Sequence, residues 1–211
     1  MSALDPKRWD ALWARLLPAG DASAAFRQLE TLYSQPVRRY HNAAHIAACL
    51  GELDSPLVTP ADIDALEFAI WFHDAIYDPK SGDNEEQSAA LARESIAGAG
   101  GSPALAAQVG ALVLATKTHD PNCVPDARWM IDIDLSILGK SEAEFDAYEA
   151  AIRAEYSWVD EALFGQRRAA ILELFLSRAQ IYTTSPFTSK YEAAARANLR
   201  RSITGLQSRA S

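Results

Sequence analysis

The chain has 211 residues, 49% of them hydrophobic, and a formal net charge of −8. That length supports one domain with a sizeable core, and the acidic balance excludes a general binder of nucleic acid or anionic membranes, while leaving room for a local basic patch that holds a small anion. No apolar run approaches the ~18–20 uncharged residues of a membrane span, and the stretch up to Leu17 is charged throughout and lacks the pattern of a secretory leader, so the expected compartment is the cytoplasm.

Abundant alanine and apolar residues at three- and four-residue spacing predict helices along the whole chain. In order they cover 6–17, 22–33, 40–53, 60–76, 84–98, 103–117, 141–157, 161–179 and 188–204, with a short helix or turn over 130–138. Ser55-Pro56 and Thr59-Pro60 break the chain, and Thr59 or Pro60 starts the next helix. Asp78-Pro79 with Ser81-Gly82-Asp83 reads as a loop. Gly98, Gly100 and Gly101 end one helix, and Ser102-Pro103 opens another. Asp120-Pro121-Asn122 and Pro125-Asp126 bound a second loop, and Ser141 with Glu144 fits a capping box. Phe145, Tyr148, Ile152 and Tyr156, then Leu163, Ile171, Leu174 and Phe175, recur at helical spacing as a core stripe or a dimer face, which makes a homodimer a candidate assembly. Strand alternation is confined to the brief run Ile131–Leu135, and there is no Gly-rich phosphate loop and no repeat. The predicted fold class is all-α: an antiparallel array of about nine or ten helices in a single domain spanning 1–211.

Chemistry concentrates where polar groups interrupt apolar segments. The helix containing Ala65 to Tyr77 is apolar nearly all round, so it is expected to be central and buried. His73 and Asp74 lie in its last turns. An ionised carboxylate there needs a partner, so the pair either satisfies itself by a hydrogen bond or ligates a cation. Asp132 and Asp134 punctuate the apolar run Met130–Leu138, and each reads as a ligand or as a helix cap. His41 and His45 are four apart and share one face of the predicted helix. Asn42 stands where a zinc protease of the HExxH type has its glutamate, so that chemistry is excluded. His119 falls at a predicted helix end, which favours a cationic imidazole; Lys117 beside it would ordinarily be solvated. All four histidines lie in these segments. Imidazole and carboxylate together suit a divalent ion: Mn, Mg, Fe, Co, Ni or Zn. Cys49 and Cys123 form no CxxC and read as two reduced thiols, so no thiolate is expected at the site.

The order His45, His73-Asp74, Asp134 resembles the HD superfamily of metal-dependent phosphohydrolases. The similarity extends to Arg39-Tyr40-His41-Asn42, Trp71-Phe72-His73-Asp74, Tyr77-Asp78-Pro79, Asp83-Asn84-Glu85-Glu86 with Ser88, Thr116-Lys117 with His119, and Asp132-Ile133-Asp134-Leu135 with Leu138-Gly139. Near the C-terminus it includes Arg178, Ile181-Tyr182 and Ala195-Arg196-Ala197-Asn198. Together these match one subfamily of predicted HD phosphohydrolases over most of the chain.

The resemblance implies an HD-type helical domain, with a metal-site core at about 36–140 and helices 141–205 packed on it. It implies four metal ligands, His45, His73, Asp74 and Asp134. His45 is preferred to His41 because an Ile- and Leu-rich helical stretch follows it, and Asp134 to Asp132 because Leu135 follows it. The implied activity is hydrolysis of a small phosphorylated molecule, nucleotides above all, by metal-activated water. Asp74 would ligate and orient the water; Arg39, His41, Lys117 and His119 are candidate phosphate contacts; Glu85 or Glu86 is a candidate supporting or general-base carboxylate. The competing readings are a di-iron oxygenase on the same fold and a non-catalytic module that binds a metal or nucleotide.

Overall fold

The computed structural model describes residues 3–17 and 19–209. Among them the fold is all-α, as the sequence predicts, with no strand. The order is α1 (Pro6–Leu16), α2 (Ala22–Tyr33), α3 (Ala43–Leu53), α4 (Ile63–Phe72), α5 (Asn84–Gly98), α6 (Pro103–Thr118), α7 (Ala127–Asp134), a 3-10 segment (Leu135–Gly139), α8 (Glu142–Glu155), α9 (Glu161–Ser177) and α10 (Ser185–Arg209). Among the described residues no helix is long and apolar enough to cross a membrane. The chain forms two compact units, Met1–Ile133 and Asp134–Ser211. The division falls inside the 36–140 stretch expected to carry the metal site.

In the first unit α4 is the axis. Every residue from Ala65 to Phe72 is buried, because α1, α3, α5 and α6 all pack against it. An apolar sequence with no polar face leaves a helix no stable position but the centre. Trp9 of α1 anchors the packing: its ring lies 5.5 Å from Phe68, 5.2 Å from Trp71 and 6.1 Å from Phe72. Residues of this size cost about 3–5 kcal/mol each when truncated in a core. Glu67 is the exception on α4. It is buried, and Arg8 of α1 satisfies it at 2.7 Å while also reaching the Leu50 carbonyl and Asp54 at the end of α3. One guanidinium thus ties three helices together.

The start of α4 differs from the sequence expectation. It is capped by Asp62, whose carboxylate accepts from the Ala65 N–H, rather than by Thr59 or Pro60. The shift has a distant cause. Asp126, just before α7, accepts from the Ala61 and Asp62 N–H groups at 2.9 and 3.0 Å. That holds the lead-in extended until Asp62, and Asp126 adopts a left-handed φ of 62° to do so.

The second unit is built from α8, α9, α10 and the 3-10 segment. The capping box at Ser141 and Glu144 forms as predicted. The apolar stripe expected across α8 and α9 divides: Phe145 and Ile152 are buried, whereas Leu163, Ile171 and Leu174 are exposed. On α9 the inward face is Gly165, Arg168, Ala169 and Leu172, with Arg168 satisfied by Glu149 and the Tyr148 hydroxyl. The 3-10 segment is held by Tyr182, whose hydroxyl donates to the Leu135 carbonyl, and by Asn198, whose amide donates to the Leu138 and Lys140 carbonyls. Gly139 permits a backbone-to-backbone approach: a Cβ placed there would stand 2.5 Å from Tyr191 Cβ and 2.8 Å from its carbonyl oxygen. Gly139→Ala should therefore lower stability by about 1–3 kcal/mol through overpacking, read as a fall in the urea midpoint; an unchanged midpoint would show that the contact yields freely.

Candidate metal centre

Two helix ends place the histidines. α3 starts at Ala43, later than predicted, because Asn42 caps it: the Asn42 side chain accepts from the Ala44 N–H at 2.8 Å and donates to the Arg39 carbonyl at 2.9 Å. His41 therefore lies outside the helix, and the expected shared face with His45 is not formed. His45 points inward from the first turn, with the Tyr40 ring 4.6 Å from its own. The His41 ring instead stacks on Tyr77, with centroids 4.3 Å apart and planes 26° apart.

α4 ends at Phe72 rather than near 76, which leaves His73 as its C-cap and Asp74 on the turn beyond. Side chains take over the carbonyls that a longer helix would use. Tyr33 donates its hydroxyl to the Trp71 carbonyl at 2.9 Å. Arg38 donates to the carbonyls of Asp74 and Ala75 at 2.6 and 2.7 Å. Ser88 accepts from the Ile76 N–H at 3.0 Å. His73 Nδ1 lies 2.9 Å from the Ile70 carbonyl; a carbonyl only accepts, so this nitrogen carries the proton and Nε2 is left bare in the neutral ring.

That bare nitrogen faces a second imidazole nitrogen and a carboxylate oxygen. His73 Nε2 is 3.1 Å from Asp74 Oδ2 and 3.2 Å from His45 Nε2, and the third edge, His45 Nε2 to Asp74 Oδ2, is 3.4 Å. A single proton can bridge only one of these edges. A cation among the three satisfies all of them. The spacing fits an ion: with bonds of about 2.1 Å, ligand atoms sit about 3.0 Å apart in an octahedron and about 3.4 Å apart in a tetrahedron. The His45 and His73 side chains are 3% and 1% exposed and that of Asp74 is 19% exposed, so the group opens to solvent on the carboxylate side. Burial pushes the Asp74 carboxyl up. Where the imidazoles are protonated, the charges of His73 and His41, the hydrogen bond that the His73 imidazolium then donates and the charge of His45 outweigh it and hold the group below the usual carboxylate range.

The remaining expected residues are placed as follows. Asp134 closes α7, is half-buried, and is the first residue of the second unit. Asp132 is fully buried on α7. Lys117, exposed near the end of α6, donates to the Gly82 carbonyl and pairs with Glu86. Glu85 is half-buried in the first turn of α5. His119 caps α6 in the left-handed conformation, φ 51°, a position that costs a non-glycine residue about 1 kcal/mol. Arg39 is exposed, while its neighbour Arg38 is buried. Arg38 and Cys49 are the two residues that sequence reasoning missed. Cys49 is buried with Sγ 3.8 Å from both ring nitrogens of His45, one helical turn on. The four-residue spacing from His45 was the available signal for it. Nothing local separates Arg38 from Arg39.

Comparison of the chain with protein-family models, with curated proteins and with solved structures gives no match. The assignment therefore rests on the sequence pattern and on this geometry.

Because Asp74 is held low, its contribution to stability is full above the unfolded-state value of about 3.9 and is lost as pH falls through the lower folded-state value. Carboxyl carbon NMR of metal-free protein should show Asp74 titrating below the ordinary aspartate range. A titration at or above that range would contradict the balance of burial and histidine charge.

Proposed function

We propose that the first unit binds a divalent metal ion through His45, His73 and Asp74 and hydrolyses phosphoester or phosphoanhydride bonds in small phosphorylated molecules, nucleotides among them. The observation that carries this reading is the convergence of two imidazole nitrogens and a carboxylate oxygen 3.1–3.4 Å apart, one of them a nitrogen whose ring proton is committed elsewhere. The reaction class is supported by the resemblance of the His45, His73-Asp74 order to the HD phosphohydrolases.

When bound, the ion would polarise a phosphoryl oxygen and lower the pKa of a water. The chain's own residues divide the remaining work. His45 and His73 are buried, with the His73 ring anchored at the Ile70 carbonyl and the His45 ring against Tyr40. Asp74 is the member that meets solvent, so its carboxylate is placed to orient the attacking water. Held below the usual carboxylate range, it is a weak base. Arg39 and His41, on the loop entering α3, offer cationic groups for phosphate oxygens, where they stabilise charge developing in transfer. Lys117 can do the same only by leaving Glu86 and the Gly82 carbonyl. His119 and Glu85 are the next positions to test.

The experiment uses protein purified without chelator. Metal content is measured, and phosphate release is followed over a panel of phosphorylated metabolites. Release should fall when a chelator removes the ion and return on adding it back, and His73→Ala and Asp74→Ala should each lower it by at least about 100-fold. Metal at about 100 times its Kd should also raise stability by about 2.7 kcal/mol. Metal-dependent release that survives both substitutions would sink the reading.

A further inference from the structure

The metal ligands come from two separate segments, the first turn of α3 and the turn after α4. One side chain joins the two. The Arg38 guanidinium donates to the His41 carbonyl at 2.8 Å, on the strand of chain that leads into α3, and to the Asp74 and Ala75 carbonyls on the other segment. Its Nε donates to Gln35 Oε1 at 3.1 Å. Its plane is flanked by the rings of Tyr33 and Tyr77, at 5.1 and 5.5 Å to the centroids. Tyr33 also holds the Trp71 carbonyl, and Tyr77 carries the His41 ring. The residue is 5% exposed.

From this geometry we propose that Arg38 is a positioning residue: it sets the distance between His45 and the His73-Asp74 pair and so pre-organises the metal site. The inference rests on the metal-binding reading above. A planar guanidinium with donors in a fixed fork can hold carbonyls of two segments at once and stack between two rings, which an ammonium cannot. A cation at the end of α4 is also favoured by the helix dipole. Groups that orient a metal's ligands without touching the metal typically contribute 10–100-fold to affinity.

The test measures Zn(II) affinity by competition with a chelating dye and the visible absorption of the Co(II) form, whose bands report ligand geometry. Arg38→Lys is expected to stay helical and to weaken Zn(II) binding by about 10–100-fold, with altered Co(II) bands. Gln35→Ala, which removes only the Nε partner, should weaken binding several-fold and serves if the lysine variant does not fold. Arg8→Ala removes a different interhelical guanidinium and should lower stability without moving the affinity or the Co(II) spectrum. Folded Arg38 or Gln35 variants with wild-type affinity and spectrum would overturn this inference alone. Wild-type protein that binds neither ion would overturn the metal reading and this inference with it.

Discussion

A helix buried on every side must find hydrogen-bond donors for its last carbonyls without help from water. That constraint organises the first unit. α4 is surrounded by α1, α3, α5 and α6, so the carbonyls at its end are served by Tyr33 and His73, and those on the turn beyond it by Arg38. The cost of leaving such a group unmade is about 1–3 kcal/mol, enough to select the side chains around it. The chemical consequence falls on His73. By giving its Nδ1 proton to the Ile70 carbonyl it is left with a bare Nε2, pointed at His45 and Asp74. Backbone satisfaction thus fixes the tautomer, and the tautomer leaves an acceptor nitrogen facing a second imidazole and a carboxylate.

What was legible in the sequence was local. The helix starts at Ser102-Pro103 and Ser141-Glu144 follow from side chains one turn away, and the centrality of α4 follows from its lack of a polar face. The errors lie where distant residues decide. α4 starts late because Asp126, 64 and 65 residues downstream, holds the lead-in. It stops early where Tyr33 takes the Trp71 carbonyl and Arg38 takes the Asp74 and Ala75 carbonyls on the turn beyond, from 36 to 38 residues upstream. No periodicity within the window encodes any of these.

The candidate site was read in the same uneven way. His45, His73 and Asp74 stand out because polar groups in apolar helices demand partners, and the structure brings these three together. The different placement of His41 and His45 was not readable from spacing, because Asn42 caps the helix between them. Lys117 looked free because its partner Glu86 belongs to another helix, 31 residues away. Cys49 read only as a reduced thiol, although its four-residue spacing from His45 offered a signal. Only the fold lays its sulfur against the His45 ring.

The two ends of α4 are tied to chain on opposite sides of it in sequence, to Tyr33 and Arg38 before and to Asp126 after. Each tie closes a loop of tens of residues, and closing such loops carries an entropic cost that only the assembled contacts offset. The helix therefore has its full set of terminal hydrogen bonds only with both loops closed. During synthesis the chain reaches Asp74 long before Asp126 exists. By then Tyr33 and Arg38, which hold the end carrying His73 and Asp74, are already made, whereas the start of the helix waits for Asp126.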